Sequence, residues 1–176
     1  MSQSHAAGES KYVTFKLDAE TYALPISQVR EVLEFKTVTK VPKMPSFVRG
    51  VINLRGMVLP VVDMRQIFNL GRTEKTSDTR VMVVEVVVDG ERTTVGALAD
   101  AVRDVVDFDE GKLSPPPKIG ARLHTEFIRA VGRNDEDFVL ILDMDRVFSR
   151  QEFAQLTELE PAQLASELRP EAASGG

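Results

Sequence analysis

Few side chains in this chain have the type and spacing to do chemistry. Asp63, Asp143 and Asp145 are the one acidic set that could act as metal ligands or as an acid/base group. Asp63 and Asp143, however, open matching runs, Asp63-Met-Arg-Gln-Ile-Phe68 and Asp143-Met-Asp-Arg-Val-Phe148. That placement reads more simply as two equivalent helix N-caps, since a metal site needs ligands converging from one place. His5 falls in a small polar leader and His124 stands alone in a polar loop. There is no Cys, no Gly-rich phosphate loop and no Gly-x-Ser-x-Gly elbow. The expectation is a chain with no catalytic set, no metal and no cofactor. Arg55 is different: it lies in the polar insert Asn53-Leu54-Arg55-Gly56 between apolar runs, where Asn and Gly tolerate positive φ. An arginine at a hairpin tip, fixed by a rigid base, is built to bind.

The elements that would position these residues follow from the same stretch. Val51-Ile52 and Val58 to Val62 predict the two arms of the hairpin. Asp63, with Gln66 three residues on, suggests a capping box. Met64, Ile67 and Phe68 would share one helix face, and Gly71 is a stop.

This pattern recurs. Val58 to Phe68 aligns with Phe138 to Phe148, and Arg49-Gly-Val51 with Arg129-Ala-Val131, at a spacing of 80. Val29 to Phe35 aligns with Val102 to Phe108 at a spacing of 73. Aligned pairs in the same order indicate a duplicated unit. The expected subdomains are residues 11–72 and 78–150, together one domain of about 11–150. Each half is marginal alone, so the two should share an interface.

Elsewhere, Tyr12 to Leu17 alternates like a strand, and Tyr22-Ala-Leu24 begins another that Pro25 limits. Residues 26–35 fit either a helix face or a strand, and a short helical turn leading into a strand is the favoured reading. Val41-Pro-Lys-Met-Pro45 is an extended loop. Arg80 to Val88, the turn Asp89-Gly90 and Thr93 to Ala99 form a hairpin; Phe127 to Gly132 and Phe138 to Leu142 form another. In Val102 to Phe108, period-two alternation turns Val105 outward between charges. Residues 151–168 have helical composition, and 1–10 and 169–176 read as disordered. Many short strands and few helices predict an all-β fold of two packed small barrels with a few short helices and a C-terminal helix.

Composition limits the partners. The chain has 176 residues, net charge −5, no Trp and two Tyr. That disfavours a nucleic-acid groove, which wants basic charge and stacking aromatics. Lys36, Lys40, Lys43 and Arg49 form a weakly basic stretch, read as a solvated loop. No apolar run reaches membrane-span length and no secretory h-region is present, so a cytoplasmic protein is expected.

Three segments resemble the CheW family of chemotaxis coupling proteins: Pro42 to Met64, Tyr22 to Val32, and Val95 to Val106. The run Asn53-Leu-Arg-Gly-Met-Val-Leu-Pro-Val-Val-Asp63 is the most specific. The resemblance implies two five-stranded SH3-like barrels, with the first strand able to cross to the second barrel. It also implies a non-enzymatic adaptor that bridges the cytoplasmic tips of chemoreceptors to the regulatory domain of a CheA-type histidine kinase. It implies no nucleic acid and no membrane insertion, with recruitment to membrane receptor arrays. Carried over by motif, Val29, Glu31, Gly50, Arg55 and Val105 face the receptor. Ser114 and Ile119 occupy a loop that in some relatives offers a basic and an aromatic residue to the kinase. This chain departs from the family there, and again at Ala130, where Gly is frequent. An adaptor of a gliding, twitching or developmental system, a nucleic-acid-binding barrel and an Asp-based enzyme are the alternatives.

Overall fold

The computed structural model describes residues 11–88, 90–116 and 127–148. Ten strands dominate it: β1 (Lys11–Leu17), β2 (Glu20–Pro25), β3 (Val29–Glu34), β4 (Val48–Leu54), β5 (Met57–Asp63), β6 (Arg80–Val88), β7 (Glu91–Ala99), β8 (Ala101–Asp107), β9 (Ile128–Asn134) and β10 (Asp137–Leu142). Two single-turn helices, α1 (Met64–Ile67) and α2 (Met144–Val147), follow β5 and β10. A 3-10 turn at Ile26–Gln28 leads into β3, as the mixed periodicity of that stretch predicts. The C-terminal helix expected over 151–168 and the disordered ends lie outside the described residues.

The strands form two five-stranded sheets. One runs β3-β6-β7-β5-β4 and the other β8-β1-β2-β10-β9. Each curls until its outer strands meet through a pair of main-chain hydrogen bonds. In the first, Thr39, beyond the end of β3, exchanges N–H···O bonds of 2.9 and 2.8 Å with Val51 on β4. In the second, Ser114, beyond β8, does the same with Val131 on β9 at 2.8 Å each way. Curling a small sheet so removes most of its exposed edge.

The sheets do not follow the partition into 11–72 and 78–150. The central barrel is contiguous, β3 to β7, whereas the terminal barrel joins the β1–β2 hairpin to β8, β9 and β10. Each repeat therefore gives its first hairpin to the other repeat's barrel. The hairpins are held by matching parallel contacts, β2 with β10 and β7 with β5. The physical reason is the shared core. Phe15, Leu17, Tyr22 and Leu24 from the exchanged hairpin are buried in one cluster with Val62, Met64, Phe68, Met82, Phe127 and Phe148. A ladder of rings crosses the seam: Phe15 to Tyr22 at 5.9 Å, Tyr22 to Phe68 at 5.9 Å, Phe68 to Phe127 at 6.1 Å. Stacked and tilted pairs at such spacings add to the area they bury.

Candidate functional site

Arg55 and Gly56 form the two-residue turn between β4 and β5, with φ of +51° and +88°. Positive φ at both positions is the turn that matches the twist of a hairpin. Asn53 fixes it, its Oδ1 accepting the Gly56 N–H at 2.8 Å. The Arg55 guanidinium then reaches across the barrel mouth to Glu31 on β3 in a forked pair, one arm at 3.5 Å and the other closer. β3 and β4 are the outer strands of their sheet, so this pair spans the closing seam. The Arg55 side chain stays 70% exposed and that of Glu31 30%. An exposed pair adds little stability, but the fork fixes the plane of the guanidinium.

Gly50 sits below, on the same seam. Its φ is +146°, and a Cβ there would stand 2.4 Å from the carbonyl oxygen of Thr39. The Thr39–Val51 bridge therefore requires glycine at this position. Val29 begins β3 beside a bulge at Arg30, half-buried against the main core. Val105 lies on β8, in the terminal barrel, and is 55% exposed. Its register partner is Val13 on β1. The structure thus joins Glu31, Gly50 and Arg55 at one seam, sets Val29 at the root of the same strand, and places Val105 on the other barrel. Ser114 is exposed and makes the second closing bridge. Ile119 and His124 lie outside the described residues.

The aspartates have structural work. Asp63 is fully buried and caps α1, accepting the Arg65 N–H at 3.0 Å. It also accepts the Thr73 N–H at 2.9 Å, the Thr73 hydroxyl at 2.6 Å and the Arg49 guanidinium at 3.0 Å. The expected capping box is not made: the Asp63 N–H donates to the Phe47 carbonyl instead, at 2.7 Å. Asp143 caps α2 through the Arg146 N–H at 3.2 Å, and Asp145 accepts the Val87 N–H at 2.9 Å. Among the described residues no group of three His, Cys, Asp or Glu could hold a metal ion.

Sequence reasoning missed Glu31 as the partner of Arg55, because 24 residues and the whole closure of the barrel separate them. The signal was available only as spacing across a repeat: an acid on the first outer strand, a base at the tip beside the last. Also unforeseen was Phe138, 62% exposed at the start of β10 with the Arg133 guanidinium 5.7 Å from its ring.

Comparison with known proteins gives the chain its relatives. A family model described as CheW-like domain matches residues 11–152. The chain is 30% identical over 154 residues to the chemotaxis protein CheW of Klebsiella aerogenes, covering 86% of this chain and 90% of that one. It is 31% identical over 114 residues to protein FrzA of Myxococcus xanthus, covering 65% and 69%. Among solved structures, the scaffolding protein TtCheW of Thermoanaerobacter tengcongensis superposes with a TM-score of 0.71 at 33% identity, covering 82% of this chain and 95% of that one.

Proposed function

The chain belongs to the CheW-like domain family, a family of non-enzymatic chemotaxis scaffolds, and we propose on that footing that it couples chemoreceptors to a CheA-type histidine kinase. What carries the reading is the extent of the match, which takes in all ten strands. The receptor-facing set is Val29, Glu31, Gly50, Arg55 and Val105. A rigid hairpin presents Arg55 with its guanidinium plane already set, so little side-chain freedom is lost on contact. The kinase is met elsewhere: by the resemblance, Ser114 and Ile119 are its candidate contacts. The protein works in the cytoplasm and is recruited to receptor arrays; no helix among the described residues is long and apolar enough to cross a membrane. A second reading, an adaptor of a gliding, twitching or developmental receptor system, fits the likeness to protein FrzA and differs in the receptor and kinase bound.

The test is a pair of affinities in one variant. Arg55→Glu is expected to weaken receptor binding at least tenfold, since a carboxylate cannot fork and would face Glu31. Stability should change by no more than about 1 kcal/mol, as for exposed pairs. Binding to the kinase regulatory domain should persist. Equal loss of both partners would defeat the two-surface reading.

A further inference from the structure

The seam that carries Arg55 is bordered by charge that the proposed site does not use. The segment from Phe35 to Phe47 contains Lys36, Lys40 and Lys43 and no acidic residue, in a chain of net charge −5. All three lysines are exposed, and none has an ion pair among the described residues. The loop that displays them is pinned. Phe35 is buried, and Val38 packs against the cluster of Phe35, Val61, Val81 and Leu98. Thr39 is bonded both ways to Val51. Phe47 is buried, its carbonyl accepting from Asp63, and Met44 packs on the main core. Lys40 and Lys43 are thus held between fixed points, and Lys40 directly follows Thr39, whose carbonyl confronts Gly50.

The neighbouring cations are spent. Arg55 is paired with Glu31, Arg30 with Glu85, and Arg49 is folded inward onto Asp63 and the Thr73 carbonyl. Of the two acids on β3, Glu31 is paired with Arg55 and Glu34 is exposed at the end of the strand next to the loop. The equivalent loop of the other repeat opens with Asp109 and Glu110 and carries a single lysine, Lys112, before Ser114. The two closing loops therefore share a bridge and differ in charge.

We propose that Lys36, Lys40 and Lys43 form a steering rim that draws an acidic protein surface, the receptor's, onto the Glu31–Gly50–Arg55 seam. The inference rests on the coupling function proposed above. Unpaired, exposed charges act through the long-range field, so they set the rate of encounter and its salt dependence. The Arg55 fork, neutralised by its partner, sets the lifetime of the complex once formed.

The experiment measures association and dissociation rates of the full chain with a receptor cytoplasmic fragment at low and high salt, and with the kinase regulatory domain as reference. The triple variant Lys36→Gln, Lys40→Gln, Lys43→Gln should associate with the receptor fragment about tenfold more slowly at low salt, with an unchanged dissociation rate and a flattened salt dependence. Arginine at all three positions should keep the wild-type rates, because charge is what acts. Kinase association should not move. A triple Gln variant with wild-type association and salt slope would overturn the steering rim, as would an equal slowing toward both partners. If the wild-type chain fails to bind the receptor fragment at all, the coupling function falls and takes the rim with it.

Discussion

The two barrels come from one repeated pattern, yet their closing seams are built from opposite chemistry. In the alignment of the repeats, Glu31 corresponds to Asp104, Arg55 to Asp135 and Gly50 to Ala130, and the Ser114–Val131 bridge stands where the Thr39–Val51 bridge does. The central barrel closes with glycine under a carbonyl and an arginine–glutamate fork over the mouth. The terminal barrel has acids at both corresponding positions, so no such fork can form there, and its Ala130 carries the Cβ that Gly50 cannot. The main-chain bridge survives in both. Duplication thus preserved the hydrogen bonds that make a barrel and released the side chains above them, and only one seam kept a positioned base.

The exchange of hairpins gives the comparison its largest consequence. Residues 11–72 hold β1 and β2 without the strands they pair with in the terminal barrel, and residues 78–150 hold β6 and β7 without β3 and β5. Neither half should fold alone. Mixed in equal amounts they should assemble, since all pairings of both barrels are then available, and the intact chain should melt in one cooperative step. Circular dichroism of each half and of the mixture decides this. A stable monomeric half would show that the repeat can close without exchange.

How much of this was legible in sequence depends on range. The turn at Arg55, the caps at Asp63 and Asp143 and the outward face of Val105 are local, set by residue types within a turn or a strand. The duplication was legible because its period is printed in the chain. The exchange was hinted at only by the family resemblance, which allowed the first strand to cross: β1 and β2 have the same alternation whichever sheet they join, and the burial of Phe15 and Tyr22 against Phe68 and Phe127 goes with the crossed arrangement. Nor could spacing show that Gln66 would leave the cap to a carbonyl 16 residues upstream, as Phe47 supplies it.

Equivalent aspartates should respond unequally. Asp63→Ala strips the buried Arg49 guanidinium and the Thr73 amide and hydroxyl of their acceptor, at a cost of about 3–5 kcal/mol for a buried pair broken on one side. Asp143→Ala removes a cap from a half-buried carboxylate, at about 1 kcal/mol. Urea unfolding of the two variants measures the ratio. Equal losses would mean that the buried set around Asp63 adds nothing to its capping role.

The last asymmetry lies inside the seam between the barrels. Tyr22 on β2 corresponds to Val95 on β7, both buried. Val95 asks for nothing, but the Tyr22 hydroxyl is enclosed without a hydrogen-bond partner among the described residues. Burial, and after it the charges of Glu20 and Asp18, push its pKa up to about 12 from 10.0. The neutral phenol is what the folded core accepts, so its contribution is intact below pH 10. It falls as pH rises from 10 toward 12, by about 1.4 kcal/mol per unit, because only the unfolded chain can ionise freely there. Tyr22→Phe keeps the ring stack, removes an unsatisfied hydroxyl and deletes this titration. The variant should therefore match or slightly exceed the wild type near neutrality. Its stability should fall less steeply than the wild type's above pH 10, the remaining slope belonging to groups common to both. Denaturant midpoints at pH 8, 10 and 11 make the comparison. Parallel curves would mean that the hydroxyl reaches water after all, and that the ladder Phe15–Tyr22–Phe68 is looser at its centre than its 5.9 Å spacings imply.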